Sequence, residues 1–243
     1  MLPLRSIPGI IAWPLTGALD IRIARDPAPE PTPAVAARWE ELRRENPRHY
    51  DGAVLSVVTF DPGTHEMLCR RDRYQRLAVQ PQVHTGVHQL AVTAVLTAAD
   101  GGGRRYTLLG RRSRETRIHG GMWELGPSGG VSPPAANIDT LTAADLHRHL
   151  ADEVAEEVGL ELPPGQIVAI VRDLTAFSDD VAIACELGSL EAIAPCTGAA
   201  NWEYTETLWL PIDAVRGFDA TYGHEIIAAT RALFRTLGWI DES

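Results

Sequence analysis

Residues 152–160 read DEVAEEVGL, and residues 120–131, further upstream, read GGMWELGPSGGV. Glu153, Glu156 and Glu157 are spaced i, i+3 and i+4, so on a helix they share one face. Like charges at this spacing destabilise a helix by about 0.2–0.5 kcal/mol per pair. The cluster therefore favours a bound cation, and an all-oxygen ligand set suits Mg²⁺ or Mn²⁺. The alternative is an acidic helix face that is simply solvated.

The second stretch holds five glycines among twelve residues. Glycine lacks a Cβ atom, so such a density is typical of a tight chain path that another group approaches closely. The stretch precedes the acidic helix by a loop, and the two segments are expected to meet in one site.

The composition indicates a globular protein. The 243 residues are 45% hydrophobic and 22% charged, which excludes disordered, collagen-like and coiled-coil proteins. The net charge of −10 disfavours general binding to nucleic acids or anionic membranes. All 22 basic residues are arginine, which excludes a Schiff-base lysine and a phosphate loop of the Walker type. Cys69, Cys185 and Cys196 lack zinc or disulfide spacing, as expected in a reducing cytoplasm.

The pattern of apolar residues predicts an α+β protein with mixed strands and few helices. The acidic helix spans residues 142–158, with a capping box from Thr142 and Asp145 and a terminating Gly159. Two further helices are predicted at 34–45 and 224–237, and strands at 53–60, 66–69, 90–97, 105–109, 167–172, 181–186 and 207–210. The triple glycine at 101–103 predicts a hairpin loop.

We divide the chain into a small α/β extension, residues 1–85, and a domain of residues 86–243. Residues 1–18 are apolar, but their prolines and glycines predict that they are not a cleaved signal. No apolar run approaches the roughly 20 residues that cross a bilayer, so we expect a cytoplasmic protein without membrane contact.

The acidic helix and the glycine stretch resemble the motifs of the Nudix hydrolase family. DEVAEEVGL is similar to the family core R-E-U-x-E-E-x-G-U, in which U is a bulky aliphatic residue. GGMWELGPSGGV is similar to the family turn G-x-W-x-x-P-G-G. The resemblance covers residues 87–215 and implies an α/β/α sandwich with a mixed sheet. It also implies Mg²⁺- or Mn²⁺-dependent hydrolysis of a nucleoside diphosphate linked to another moiety.

The resemblance assigns the glutamates a role in metal binding and catalysis. Glu156 and Glu157 match the family's metal-binding glutamates, and Glu153 matches a metal ligand or a helper to the attacking water. Gly129 and Gly130 fall in the turn that meets the substrate. A divalent metal neutralises the diphosphate and lowers the pKa of a bound water, which attacks phosphorus.

Two positions depart from the family pattern. Asp152 stands where the family has an arginine, and Ala136 stands where it has a glutamate. Arg148 lies four residues before Asp152, and we expect the two side chains to pair. These departures leave open a non-catalytic module that binds a nucleotide.

Four arginines in the segment LLGRRSRETR are candidates for binding the substrate phosphates: Arg111, Arg112, Arg114 and Arg117. Guanidinium groups bind phosphate well, and the alternative is solvated charge at a strand end. Candidates for stacking on a base are Trp123, Trp202, Tyr204 and Trp209, and the alternative is packing in the core. Candidates for a further metal ligand or base are Glu124, Asp179, Asp180, Glu203 and Glu206. Histidine pairs that could bind a metal, or simply be satisfied elsewhere, are His84 with His88 and His147 with His149.

Two resemblances to subfamilies compete over the substrate. The segment around Arg38-Trp39, Asn46-Pro47 and Tyr50-Asp51-Gly52 resembles Nudix UDP-sugar diphosphatases. The pattern L-L-G-R-R-S-x3-R-x3-G-x3-L at 108–125 resembles coenzyme A diphosphatases. We prefer a nucleotide sugar, with coenzyme A or a prenyl diphosphate as alternatives. The expected partner is a small-molecule diphosphate, and a homodimer is left open.

Overall fold

A computed structural model describes residues 7–198 and 202–241. The strands are β1 (Ile10–Pro14), β2 (Asp20–Ala24), β3 (Ala53–Asp61), β4 (Glu66–Arg73), β5 (Gln89–Ala99), β6 (Arg105–Arg112), β7 (Trp123–Leu125), β8 (Ser128–Gly130), β9 (Thr140–Leu141), β10 (Gln166–Asp173), β11 (Ser178–Ser189) and β12 (Tyr204–Pro211). The helices are α1 (Pro33–Glu45), α2 (Tyr74–Ala78), α3 (Ala143–Val158), α4 (Leu190–Ile193), α5 (Val215–Tyr222) and α6 (Ala228–Thr236).

The strands form one mixed sheet. Its main order is β1-β10-β11-β5-β3-β4-β2-β9, and β6 links β5 to β7 and β12 while β8 pairs with β5. β11 runs parallel to β5 and β2 runs parallel to β4, whereas the other pairs are antiparallel. The predicted α+β class with a mixed sheet is therefore confirmed.

Helix α3 forms where its sequence signals predict it. The Thr142 hydroxyl accepts from the Asp145 amide, and the Asp145 carboxylate accepts from the Thr142 amide. Gly159 ends the helix in the left-handed conformation at φ 73°, which glycine adopts without strain. One face of α3 carries an apolar stripe in which residues recur at every fourth position. All four of its members are buried: Leu146, Leu150, Val154 and Val158. This burial fixes the rotation of α3 and so the direction of its glutamates.

Helices cover both faces of the sheet. On one face α3 packs against β5 and β8, and its stripe joins a core that includes Leu90, Val92 and Ile183. On the other face α6 packs against β1 and β10, in a core that includes Phe234 and Val171. The predicted sandwich is thus observed, and the glycine strand β8 lies beside α3.

The N-terminal segment contributes to this same sheet. β1 pairs with β10 and β3 pairs with β5, and Trp13 and Ile21 are buried in the core that contains α3. The pattern analysis did not predict β1 or β2. The boundary between residues 85 and 86 stays a prediction.

The two helices near the end of the chain, α5 and α6, also differ from the sequence expectation. The last helix begins at Ala228 rather than at His224, because residues Gly223–Glu225 form a separate 3₁₀ turn and Ile226 is extended. Helix α5 was not predicted, since Gly217 in its first turn lowers the helix propensity. The predicted hairpin loop at the triple glycine is confirmed between β5 and β6.

In the part of the chain that the structure describes, no helix is long and apolar enough to cross a membrane. The three cysteines are free, with Cys69 and Cys185 buried and Cys196 exposed.

Candidate active site

The three glutamates of α3 differ in exposure. Glu157 is only 2% exposed, Glu153 is half-buried and Glu156 is exposed. Their different positions follow from the buried stripe, which turns Glu157 most strongly towards the sheet. Two carboxylates are therefore held at the protein interior, and the third lies at its edge.

The glycine strand makes room for one of these carboxylates. A Cβ atom on Gly129 would lie 2.0 Å from Glu153 Oε1, so no other residue fits here without displacing that side chain. A Cβ atom on Gly130 would lie 1.8 Å from the Gln89 side-chain nitrogen. The close approach predicted for the glycine stretch is the packing of these two side chains against its backbone.

The protonation of the pair reflects burial and mutual repulsion. Burial, followed by the charge of Glu203 and then of Glu124, raises the pKa of Glu157 to about 9. Burial, followed by the charges of Glu203 and Glu156, raises the pKa of Glu153 to about 7, although a hydrogen bond with Glu157 opposes this rise. Carboxylates that repel one another in this way are stabilised by a proton or by a cation.

A buried network lies beside Glu157. Glu124 Oε1 accepts from Arg112 Nη1 at 2.7 Å and from the Tyr204 hydroxyl at 2.8 Å. The guanidinium of Arg112 also lowers the pKa of Glu157, after burial and the neighbouring acids have raised it. Arg112 is therefore a fixed positive charge behind the carboxylates rather than a free phosphate ligand.

Two glycines shape the place of Tyr204. A Cβ atom on Gly110 would lie 2.4 Å from the Tyr204 ring, and one on Gly126 would lie 2.4 Å from its hydroxyl oxygen. Tyr204 is 3% exposed, so it packs in the core and does not offer a face for a base.

The other three candidate arginines have different surroundings. Arg111 pairs with Glu206 at 3.2 Å and with Glu225 at 2.9 Å. Arg114 and Arg117 are exposed, and the Arg117 guanidinium lies 6.0 Å from the centre of the Tyr74 ring. Among the described residues neither Arg114 nor Arg117 forms an ion pair, so these two remain available to an anion.

Arg117 lies at a cavity of about 190 Å³ on the other side of β8 from Glu153. The polar residues around this cavity are Gln89, Thr93, Arg112, Arg117, His119, Glu124, Ser128, Asp173, Ser178, Asp180 and Thr230. Its apolar walls come from β10 and from the start of α6. Gly129 and Gly130 line it as well, so the glycine strand separates the cavity from the glutamates of α3.

The remaining aromatic candidates lie apart from one another. Trp123 is buried in the core and Trp209 is partly buried, donating from its ring nitrogen to Thr197. Trp202 is 57% exposed. Asp179 is fully buried and binds Arg172 at 2.6 Å on the face opposite the cavity, which gives it a structural role.

The expected pairing of Arg148 with Asp152 is wrong. Arg148 donates to Asp145 at 3.1 Å, one turn towards the start of the helix, where Asp145 is already fixed by the capping box. Asp152 is exposed.

We tested whether the side chains fit a divalent cation. Within residues 7–198 and 202–241 no three His, Cys, Asp or Glu side chains converge in a preformed metal cluster. The two histidine pairs therefore belong to no such cluster either. His147 instead contacts the Pro163 carbonyl oxygen at 2.8 Å, and His88 lies 3.6 Å from Asp179. The hydrogen-bonded pair of Glu153 and Glu157 nevertheless has the oxygen chemistry and the unbalanced charge that a hard cation neutralises.

Several residues of the site escaped the sequence reasoning. Gln89, His119, Asp173 and Ser178 line the cavity, yet they lie on four separate segments with no shared motif. Among the acidic residues of the lining, Asp180 and Glu124 are candidates from the sequence, whereas Asp173 is not.

Comparisons with family models and with curated proteins find no match. Solved structures with a similar fold include a Nudix hydrolase from M. smegmatis, RenU, at 17% identity and a TM-score of 0.43, covering 62% of this chain and 84% of that one. A MutT protein from Methanosarcina mazei is 24% identical, with a TM-score of 0.40 and coverage of 62% and 91%. The NUDIX domain of Shewanella oneidensis NrtR, solved with ADP ribose, is 17% identical, with a TM-score of 0.45 and coverage of 65% and 91%. The chain is similar in fold to these structures, and the similarity says nothing of its substrate.

Proposed function

We propose that this chain is a Nudix-type hydrolase that cleaves the diphosphate bond of a nucleoside diphosphate linked to another moiety, with a nucleotide sugar as the substrate. The observation that carries the proposal is the pair of neighbouring carboxyl groups on α3, the buried Glu157 and the half-buried Glu153, whose negative charges raise the pKa values of the site and of which Glu153 packs against the glycine strand at Gly129. Without a cation the ionised form of this pair is electrostatically unfavourable. A role in binding a metal for hydrolysis would explain why the chain has these acidic residues at a partly buried place.

In this proposal Glu153, Glu156 and Glu157 hold Mg²⁺ or Mn²⁺. The bound metal supplies charge neutralisation of the diphosphate and a water of lowered pKa. Arg112, fixed by Glu124 and Tyr204, balances part of the negative charge next to Glu157.

The substrate phosphates have two available guanidinium groups, those of Arg114 and Arg117. Both are exposed, and Arg117 lies at the cavity beside the glycine strand. Arginine binds phosphate in a bidentate manner and stabilises charge that develops on the leaving group. Arg111 is held by Glu206 and Glu225, so in this proposal it supports the site instead of binding phosphate.

The test is a panel of UDP-glucose, coenzyme A, a dinucleoside polyphosphate and geranyl diphosphate, each with Mg²⁺ and with Mn²⁺. We expect UMP and glucose 1-phosphate from UDP-glucose, and a loss of turnover of about 100-fold or more in Glu157→Gln and Glu156→Gln, since a metal ligand is removed. Glu161→Gln, an exposed residue just beyond α3, is the matched control. Full turnover by both ligand variants would contradict the metal assignment, and turnover of geranyl diphosphate or coenzyme A alone would replace the substrate.

A second candidate function is a non-catalytic nucleotide-binding module. It is favoured by the exposed Asp152, which lacks the expected partner, and by the fact that no three metal-binding side chains converge in the described ranges. Tight binding of UDP-glucose in calorimetry, with no product after prolonged incubation with either metal, would select this function.

The partner in either case is a small molecule. The net charge of −10 makes nucleic acid and anionic membranes unfavourable partners. A homodimer and a cytoplasmic location stay predictions, and sedimentation of the purified chain tests the first.

A further inference from the structure

The cavity beyond β8 is too small for a whole nucleotide conjugate. Its volume is about 190 Å³, whereas pockets that enclose ligands of drug size measure roughly 300–1,000 Å³. It therefore suits one ring-sized moiety. Gly129 contacts Glu153 with one side of its backbone and borders the cavity with the other, so only the backbone of β8 separates the cavity from Glu153.

One carboxylate faces this cavity with bonding capacity to spare. Asp180, on β11, accepts a hydrogen bond from the Ser178 hydroxyl at 2.9 Å, and the described residues offer it no other donor. Burial raises the pKa of Asp180 to about 7, so near neutral pH the group is present in both its ionised and its protonated form. In either form most of its hydrogen-bonding positions remain open, and the protonated form can donate as well as accept. The Ser178 bond also fixes the direction of the carboxylate.

An imidazole lies across the same cavity. His119 lines the cavity, and its Nε2 lies 3.7 Å from Asp173 Oδ2, close enough to lower the pKa of that carboxyl group. The two side chains form a polar part of the cavity wall. Gln89 adds a side-chain amide to the lining.

The backbone of the cavity wall is strained at two places. His119 and Phe177 adopt the left-handed conformation, each at φ 57°, although neither is glycine. Ala176 and Ser178, the neighbours of Phe177, line the cavity as His119 does. Such conformations are unfavourable for residues other than glycine and cluster at functional sites. His119 and Ser178, the residue that follows Phe177, thus place their polar side chains around the same cavity.

The remaining walls are apolar, including Val171, Ile227 and Leu233. A ring that carries hydroxyl groups matches this lining, because each hydroxyl both donates and accepts while the ring itself packs against apolar atoms. Arg117 lines the same cavity and is exposed, so its guanidinium is available to a phosphate attached to that ring.

We infer that this cavity binds the hydroxylated sugar ring of the substrate, with Asp180 as the residue that determines specificity and Arg117 at the attached phosphate. The inference rests on the proposed function for the identity of the conjugate. In this inference the sugar ring lies in the cavity, on the side of the glycine strand that faces Asp180 of β11. The nucleoside lies outside the cavity.

Binding is measured first, without hydrolysis. Calorimetric titrations in EDTA use glucose 1-phosphate, UDP-glucose and UDP as probes. We expect Asp180→Asn to weaken the binding of glucose 1-phosphate and UDP-glucose at least 10-fold and to leave the binding of UDP unchanged. Ser178→Ala should weaken the same two probes by a smaller factor, because it frees the Asp180 carboxylate without removing it. Asp213→Asn, an exposed carboxylate paired with Arg104, is the matched control.

Thermal unfolding of each variant establishes that it is folded. Equal binding of the sugar probes by wild type and Asp180→Asn would overturn the inference. So would an equal loss for UDP, since the cavity would then hold the nucleoside, and so would a failure of the wild type to bind any of the three probes.

Turnover with Mg²⁺ separates this inference from the proposed function. A raised KM for UDP-glucose in Asp180→Asn, with kcat within about threefold of wild type, supports both. Sugar binding that depends on Asp180 in a chain with no turnover would retain the cavity assignment and reject hydrolysis. Turnover with an unchanged KM in Asp180→Asn would retain hydrolysis and reject the cavity assignment.

Discussion

Glu157 and Asp173 are buried to the same degree, at 2% and 1% exposure, yet the pKa values of their carboxyl groups move in opposite directions. Burial raises the pKa in both. In Asp173 this effect is outweighed first by the His119 imidazole and then by hydrogen bonds. Asp173 Oδ1 accepts from the Thr175 amide, the Thr175 hydroxyl and the Ala176 amide at 2.7, 2.6 and 2.9 Å. Glu157 faces Glu203, Glu124 and Glu153 instead, which raise its pKa further.

The difference separates a structural carboxylate from a functional one. The charge of Asp173 is neutralised by donors that the fold itself supplies, so its ionised form stabilises the β10–β11 turn. The charge of Glu157 has the partial help of Arg112 and is opposed by three acids, so its ionised form needs a ligand. A buried carboxyl group does not by itself indicate a functional site. A buried carboxyl group with too few hydrogen-bond donors to stabilise its ionised form does indicate one.

The largest expected effect is the pH dependence of stability in EDTA. The pKa of Glu157 rises on folding to about 9, so the stability that this group contributes is present below its ordinary pKa and is lost as the pH rises towards 9. We expect the free energy of unfolding to fall by several kcal/mol, on the order of 3–6, between about pH 5 and pH 9. Urea denaturation at successive pH values measures it.

Two additions sharpen this measurement. Excess Mg²⁺ should flatten the slope, because a cation takes the place of the proton. Glu157→Gln should reduce the slope without metal and leave the smaller contributions of Glu153 and Asp180, whose pKa values burial raises to about 7. Glu161→Gln should leave the slope as in the wild type. An undiminished slope in Glu157→Gln would assign the titration to the other groups and end the contrast with Asp173.

The next effect is a difference between two isosteric substitutions in how much they lower the free energy of unfolding. We expect Asp173→Asn to lower the free energy of unfolding by about 2 kcal/mol at pH 7, since hydrogen bonds to an ionised acceptor are replaced by neutral ones. The pKa of Asp173 is held low, so its contribution is lost only as the pH falls below the ordinary value of 3.8. Glu157→Gln in EDTA should cause no comparable loss, because burial and the neighbouring acids raise the pKa of Glu157 to about 9, so at pH 7 a neutral amide replaces a carboxyl group that is already uncharged.

Denaturant melts in EDTA at pH 7 compare the two variants, with Asp213→Asn as an exposed control. Equal destabilisation by Asp173→Asn and Glu157→Gln would mean that both carboxylates are structural, and the proposed metal site would lose its main support.

The comparison also explains how far the sequence predicts this molecule. Helix α3 was predicted from start to end, because Thr142, Asp145 and Gly159 give local signals for its caps. The contact between Gly129 and Glu153 was predicted in kind, since glycine density is a local signal of close approach.

What the sequence could not give depends on contacts between distant segments. The three donors of Asp173 lie in its own turn, but its place opposite His119 results from the pairing of β10 with β11 and the path of the loop before β7. Arg112 reads as a phosphate ligand in the sequence, and only its burial beside Glu124 shows that it is already paired. Strand β1 escaped because its partner, β10, lies more than 150 residues away.

The smallest effect concerns Glu124, which lies between the two extremes. Its carboxylate accepts from Arg112 at 2.7 Å and from Tyr204 at 2.8 Å, so it has fewer donors than Asp173 and an arginine of its own. Tyr204→Phe removes one donor and keeps the ring that Gly110 and Gly126 accommodate. We expect a loss of about 1 kcal/mol in the free energy of unfolding, as for one buried hydrogen bond.

The same substitution should act on Glu157 through Glu124. With the Tyr204 hydroxyl gone, the charge of Glu124 is less fully offset by donors, so it should raise the pKa of Glu157 further. The fall of stability with pH in EDTA should therefore become steeper in Tyr204→Phe, whereas stability at low pH changes only by the loss of one hydrogen bond. An unchanged slope would show that Glu124 does not act on Glu157, and Glu124 would then be structural in the same sense as Asp173.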